Sequence, residues 1–333
     1  MPDRGDLIED LLLQYYDQYN FNGVLLVAQE EAVLYENSIG FADFESKIPL
    51  DAETPFYLAS LGKQFTATAI MKLQEEGSLQ VDQSVTLFLA NLPEIYTEVK
   101  IYHLLNHTSG IPDYLNSEYA SRVTTNEQVF QFLANIEKLE FKPGTKYRYS
   151  NSGYALLAMI IETVSGKSAE AYFSQQLFQP LGMTETFIFG PGSTDRKRAF
   201  GFNEKEKLDD YDLLTVGDGG FYSTASDLYK WVLALNNGEI ISSASRAAMY
   251  KPVRLINGRE RRYGYGWELG NNTAGPFVYH TGQLAGFRTY LERQNSTGTT
   301  IIILANNSFD KIPELRNQIV KILDGRITRI TNN

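Results

Sequence analysis

The chain has 333 residues, 43% hydrophobic and 21% charged, a balance that builds a buried core and excludes a chain disordered throughout. Its 30 basic and 40 acidic residues leave a net charge of −10 with no basic run, so no nucleic-acid partner is expected. With no cysteine there is no disulfide, thiol nucleophile or Cys-held metal, and the three histidines, His103, His107 and His280, form no H-E-x-x-H zinc pattern.

Residues 6–19 repeat apolar positions at helical spacing (Leu7, Leu11, Tyr15), which predicts an amphipathic helix. The runs FNGVLLVAQ and AVLYENSIG flank Gln29, Glu30 and Glu31 and predict a β-hairpin. LGKQFTATAIMKLQEEG, following Ser60, predicts a helix stopped by Gly77. From about residue 80 to 200 the pattern changes to helices ending at Gly or Pro, among them NSGYALLAMIIETVSG. Residues 190–212 are polar and charged and predict a long surface connection, with Asp209, Asp210 and Asp212 on a solvated loop. Residues 223–227 then cap another helix, DLYKWVLALNNG. YGYGWEL, FVYHTG, FRTYLERQ and TTIIILANN predict a series of strands, with a hairpin loop at 294–298 and a last helix from Pro313.

Strands at both ends with helices between them predict an α+β fold. One antiparallel sheet would be built from both termini and flanked by N- and C-terminal helices, with a helical insertion. The expected division is residues 1–60 and 205–333 in the sheet domain and 61–204 in the mainly helical one. The longest apolar runs, 155–161 and 301–305, are far short of the ~20 residues of a spanning helix, so no transmembrane segment is expected. The acidic opening MPDRGDLIEDLLLQYY is no signal peptide. The expected location is periplasmic or extracellular with a leader removed, or cytoplasmic if the sequence is full length.

G-x-S-x-G is absent, so no α/β-hydrolase nucleophile elbow is expected. Ser60-Leu-Gly-Lys63 is an S-x-x-K, which on a helix puts an amine beside a hydroxyl. A desolvated lysine loses basicity and can then take the serine proton. Ser308-Phe-Asp-Lys311 matches as well, but Pro313 follows too closely for a helix to run on from that serine. Tyr149-Ser-Asn151 precedes a predicted helix, and His280-Thr-Gly282 ends a predicted strand. Y-x-N also occurs at Tyr114-Leu-Asn116. His103 and His107 have i, i+4 spacing without a third ligand nearby, and no metal is expected.

These three elements, in this order, resemble the serine β-lactamase and penicillin-binding-protein superfamily, whose signature is S-x-x-K, S-D-N and K-T-G. The tyrosine of the second element points to the class C-like branch, with its D,D-peptidases and esterases. FYLASLGKQFTA, LLNHTSGIPDY, GGFYSTASDL and YHTGQLAGFR extend the similarity over about residues 20–306. The resemblance implies the fold above, with the active site in the cleft between its sheet and helical parts, and no cofactor. Ser60 would be the acylated nucleophile, Lys63 its activator and Tyr149 the general base and acid. Asn151 would bind the substrate amide, and His280, Thr281 and Gly282 would form the strand along which substrate lies. The backbone N–H groups of Ser60 and Gln283 would make the oxyanion hole. Asp113 and Tyr114 would rim the cleft, with Tyr114 in reach of substrate. Arg288, which follows the edge strand, is either a group that meets a carboxylate bidentately or a plain surface or structural arginine.

The implied activity is serine hydrolysis through an acyl-enzyme, on D-amino-acid peptides of the peptidoglycan type, small esters or β-lactams. The alternative is a non-catalytic penicillin-recognition module, which loss of Ser60, Lys63 or Tyr149 would have favoured. Two electrostatic expectations follow. A lysine beside Tyr149 would lower the phenol pKa and hold a phenolate. His280, where β-lactamases usually carry lysine, would titrate near its ordinary 6.5 and weaken the hold on a carboxylate above that pH.

Overall fold

The computed structural model describes residues 3–116, 124–209, 211 and 213–330; Asp210 and Asp212 lie outside them. Its main sheet has six strands, named in chain order: β1 (Gly23–Gln29), β2 (Ala32–Ile39), β3 (Glu268–Asn272), β4 (Gly275–Leu284), β5 (Phe287–Gln294) and β6 (Thr299–Ala305). They lie in the order β3-β4-β5-β6-β1-β2, and every neighbouring pair is antiparallel. The N-terminal hairpin therefore joins the C-terminal meander through β1 and β6, with Gly23 opposite Ala305 and Ala28 opposite Thr300.

The unbroken apolar runs of β1 and β6 have a simple cause. Both strands are covered on both faces, and alternate residues feed two different cores. Leu25, Val27, Ile301 and Ile303 pack with Leu7, Leu11, Leu315 and Ile319 of the terminal helices α1 (Arg4–Tyr19) and α5 (Ile312–Leu323). Val24, Leu26, Ile302 and Leu304 face the opposite way, into the larger core. Each fully buried Leu or Ile contributes about 1.5–3 kcal/mol. The hairpin turn holds Glu30 and Glu31 at φ 53° and 63°, the left-handed pair that a two-residue turn needs.

Three further helices frame the site: α2 (Lys63–Glu75), α3 (Asn151–Ser165) and α4 (Ala225–Asn237). From Asn151 to Ile161 only Met159 is not buried, which suits a central helix, and α3 stops at Gly166 in the left-handed conformation. The Thr224 side chain caps α4 by accepting from the Asp227 N–H. A small sheet, Phe56–Tyr57 paired with Phe221–Ser223 and that with Phe187–Ile188, delivers the chain to Ser60. The larger core is continuous from β1 and β6 through α2 and α3 to Leu104 and Phe178, so the sheet and the helical segment share one interior. Among the described residues, no helix is long and apolar enough to cross a membrane.

Candidate active site

Ser60 sits in a 3-10 turn, Ala59–Gly62, that runs into α2. Ala59, just before it, has φ 49°, a left-handed backbone that costs an L-residue about 1–2 kcal/mol. Packing holds this strain in place. The Leu58 N–H donates to the Phe221 carbonyl (2.9 Å), and the Thr289 hydroxyl donates to the Leu58 carbonyl (2.8 Å). Strand β4 lies against the same turn. A Cβ at Gly282 would stand 2.0 Å from the Leu58 carbonyl oxygen, so only glycine allows that approach. On its other side β3 pairs with residues 275–279 alone, leaving the edge of β4 from His280 onward without a strand partner among the described residues.

Lys63 is fully buried one turn from Ser60. Its Nζ donates to Ser60 Oγ (3.1 Å), Asn151 Oδ1 (2.8 Å) and the Asp218 carbonyl (2.7 Å). Burial lowers its pKa to about 8, against the opposing pull of Asp218 and Asp113. The partners decide where a neutral amine would point. Two are acceptors only: the Asp218 carbonyl, and an Asn151 oxygen whose orientation is fixed because Asn151 Nδ2 donates to Asp113 Oδ2 (3.0 Å). Both keep an N–H, so the lone pair of the neutral amine faces Ser60. The Asn151 amide is engaged at both ends, with Lys63 and with Asp113.

Tyr149 departs from the electrostatic expectation. Its pKa is pushed well above 10, first by burial, with the nearby Ser60 hydroxyl opposing. Lys63 Nζ lies over the ring, 4.9 Å from its centroid, and makes no hydrogen bond to the phenol oxygen that would hold a phenolate. Among the described residues the buried phenol oxygen has no hydrogen-bond partner of ordinary geometry. The resting group is thus a neutral phenol next to Ser60. His107 stacks on it at 4.1 Å and accepts from the Ser150 N–H through Nδ1 (3.2 Å), while burial and Lys63 hold that ring neutral. His103 likewise accepts from the Lys100 N–H (3.0 Å), so each ring serves the backbone. No group of three metal-ligating side chains occurs among the described residues.

His280 also departs from expectation. It is buried, Nδ1 lies 2.7 Å from the Thr281 carbonyl and Nε2 lies 3.0 Å from the Tyr263 hydroxyl. Nδ1 therefore carries the proton, Nε2 accepts from Tyr263, and the ring is neutral. Burial, with Lys63 adding to it, pushes its pKa down to about 3, not the ordinary 6.5. Thr281 and Gln283 alternate to the opposite face of β4, where they line a cavity of about 870 Å³ with Tyr279 and Arg262. What they offer on the Ser60 side is backbone. Arg288 donates to the carbonyls of Ala285 and Phe287, both at 2.7 Å, and is tied to its own turn.

Tyr114 is not on the cleft rim. It is fully buried, with its hydroxyl 2.8 Å from Asp218 Oδ2 and 3.0 Å from Thr215 Oγ1. The missed residue is its partner, Asp218. The signal for it is the run Gly217-Asp218-Gly219-Gly220, whose last two glycines open the GGFYSTASDL stretch.

A family model described as Beta-lactamase matches residues 8–323. Penicillin-binding protein 4* of Bacillus subtilis (strain 168) is 36% identical over an alignment 319 residues long, which covers 88% of this chain and 70% of that protein. The crystal structure of a penicillin binding protein from Bacillus halodurans superposes with TM-score 0.84 at 27% identity, covering 94% of this chain and 99% of that one. The octameric penicillin-binding protein homologue from Pyrococcus abyssi superposes with TM-score 0.85 at 28% identity, covering 96% and 77%. With a matching family model over nearly its whole length, the chain belongs to the β-lactamase and penicillin-binding-protein family.

Proposed function

We propose that the protein is a serine hydrolase that works through an acyl-enzyme. The observation that carries this is the hydrogen-bonding of Lys63, which aims its lone pair at Ser60 once one proton is lost. Ser60 Oγ attacks the substrate carbonyl as its proton passes to the Lys63 amine. The N–H groups of Ser60 and Gln283 take the developing oxyanion; one such donor is worth about 10²–10³ in rate. Tyr149 gives its phenol proton to the leaving nitrogen or oxygen and regains one from the Lys63 ammonium. Water then attacks the acyl-enzyme, and the relay runs in reverse.

The proposed substrates are D-amino-acid peptides, small esters and β-lactams. His280 adds no positive charge, and Arg288 is held by its own turn. Neutral esters should therefore be favoured over carboxylate-bearing penicillins. The test is mass spectrometry after exposure to a fluorophosphonate. One label on the peptide containing Ser60, with turnover lowered at least about 10⁴-fold in Ser60→Ala, is the expected result. A label on another serine, Ser308 included, or no label, would overturn the assignment.

A further inference from the structure

The relay uses Lys63 but leaves open why a carboxylate is buried behind it. Asp218 is 5% exposed. Oδ2 accepts from the Tyr114 hydroxyl (2.8 Å), and Oδ1 is buried with no hydrogen-bond partner among the described residues. An unpaired buried carboxylate oxygen is costly, so its retention asks for a compensating role. The main-chain carbonyl of the same residue accepts from Lys63 Nζ (2.7 Å). The segment has little room to drift. A Cβ at Gly217 would lie 2.3 Å from the Tyr154 carbonyl oxygen, and one at Gly219 would lie 2.6 Å from the Tyr57 hydroxyl. The Tyr57 hydroxyl also accepts from the Gly220 N–H (3.1 Å).

We propose that Asp218, clamped by Tyr114, is a positioning residue that holds Lys63 in place and keeps it an ammonium in the resting enzyme. This rests on the acyl-enzyme reading above. Two anions face the lysine, Asp218 and, beyond Asn151, Asp113. Among the described residues Tyr149, Tyr154, His107 and His280 also stand around it, and they are uncharged. The carboxylate of Asp218 therefore supplies much of the field that opposes desolvation of Lys63. Removing its charge lets the amine form at lower pH. The Lys63 lone pair then becomes available to Ser60 in more acidic solution, at the cost of looser positioning.

The readout is the rate at which a fluorophosphonate labels Ser60, measured against pH. Asp218→Asn keeps the carbonyl and removes the charge. Tyr114→Phe removes one oxygen atom and with it the hydroxyl that clamps the Asp218 carboxylate. Both should move the acid limb to lower pH, by about half to one unit for Asp218→Asn and less for Tyr114→Phe. For Asp218→Asn, the rate at pH 6 relative to pH 9 should rise about three- to tenfold. A uniform slowing with the limb unmoved in both variants would mean a merely structural role and would overturn the proposal. If Asp218→Asn does not fold, Tyr114→Phe decides alone. Absence of labelling in the unmodified protein would defeat the acyl-enzyme reading itself, a different failure from an unmoved limb.

Discussion

In the proposed relay Lys63 and Tyr149 work on the same proton, and that has a measurable consequence. With Tyr149 neutral at rest and Lys63 buried against Ser60, neither group completes the transfer alone. Lys63→Ala and Tyr149→Phe should each cut acylation steeply, and the double variant should be little worse than the poorer single one. Full additivity in kcat/KM would show independent groups. His280 carries a second expectation. With its pKa near 3, it stays neutral from pH 5 to 8. The ratio of kcat/KM for a penicillin to that for an uncharged p-nitrophenyl ester should therefore show no step near pH 6.5 assignable to this ring. A step there that vanishes in His280→Asn would put a protonated imidazole back in the site. Both corrections have one cause. Residue type and order bring Ser60, Lys63, Tyr149 and His280 out as neighbours, since Lys63 Nζ bonds Ser60 Oγ, lies over the Tyr149 ring and shifts His280. The degree of burial that sets their charge is a property of packing, and no tripeptide motif encodes it.

Strand β4 matters for its closeness to the Ser60 turn as much as for its side chains. Gly282→Ala would drive a methyl group to within 2.0 Å of the Leu58 carbonyl oxygen, with Thr289 Oγ1 only 2.3 Å away. Backbone lies on one side and a hydroxyl bonded to that same carbonyl on the other, so the strand must move. Overpacking of this kind costs about 1–3 kcal/mol. It should also displace the Gln283 N–H from its expected place over Ser60. Labelling of Ser60 should slow about 10²-fold or more, comparable to losing one oxyanion donor. An Ala variant that reacts at the normal rate would show that β4 is no part of the reacting surface. The elements that were readable are those with periodicity and caps: α1 from its apolar spacing, α3 from Gly166, α4 from the Thr224 cap, β1 and β6 from their continuous apolar runs. The short pairings Phe56–Tyr57 and Phe187–Ile188 were not, because two residues carry no period. The helix Ser243–Met249 was missed too, although Ser242 caps it.

The two ends of the chain meet in one sheet, and that topology decides how the molecule should come apart. The closing contact is α5 on β5. Glu292 is completely buried and receives Arg316 through both Nε (2.6 Å) and Nη2 (2.7 Å), with the Tyr290 hydroxyl as a further donor. Removing one partner of such a pair strands a buried charge and costs about 3–5 kcal/mol. Arg316→Leu should therefore lower the melting temperature clearly, whereas replacing both partners by apolar residues should cost less. The manner of melting is the sharper observation. The larger core runs from β1 and β6 into α2 and α3 without a seam between the sheet and residues 61–204. Loss of α5 should thus bring down the helical segment and the Ser60 site together. Calorimetry of Arg316→Leu should show a single transition, shifted down, with Ser60 labelling lost over the same temperature range. Two separated transitions, the lower one sparing the helical segment, would mean that residues 61–204 are a domain with a core of their own, and that the site lies at a junction between independently stable parts.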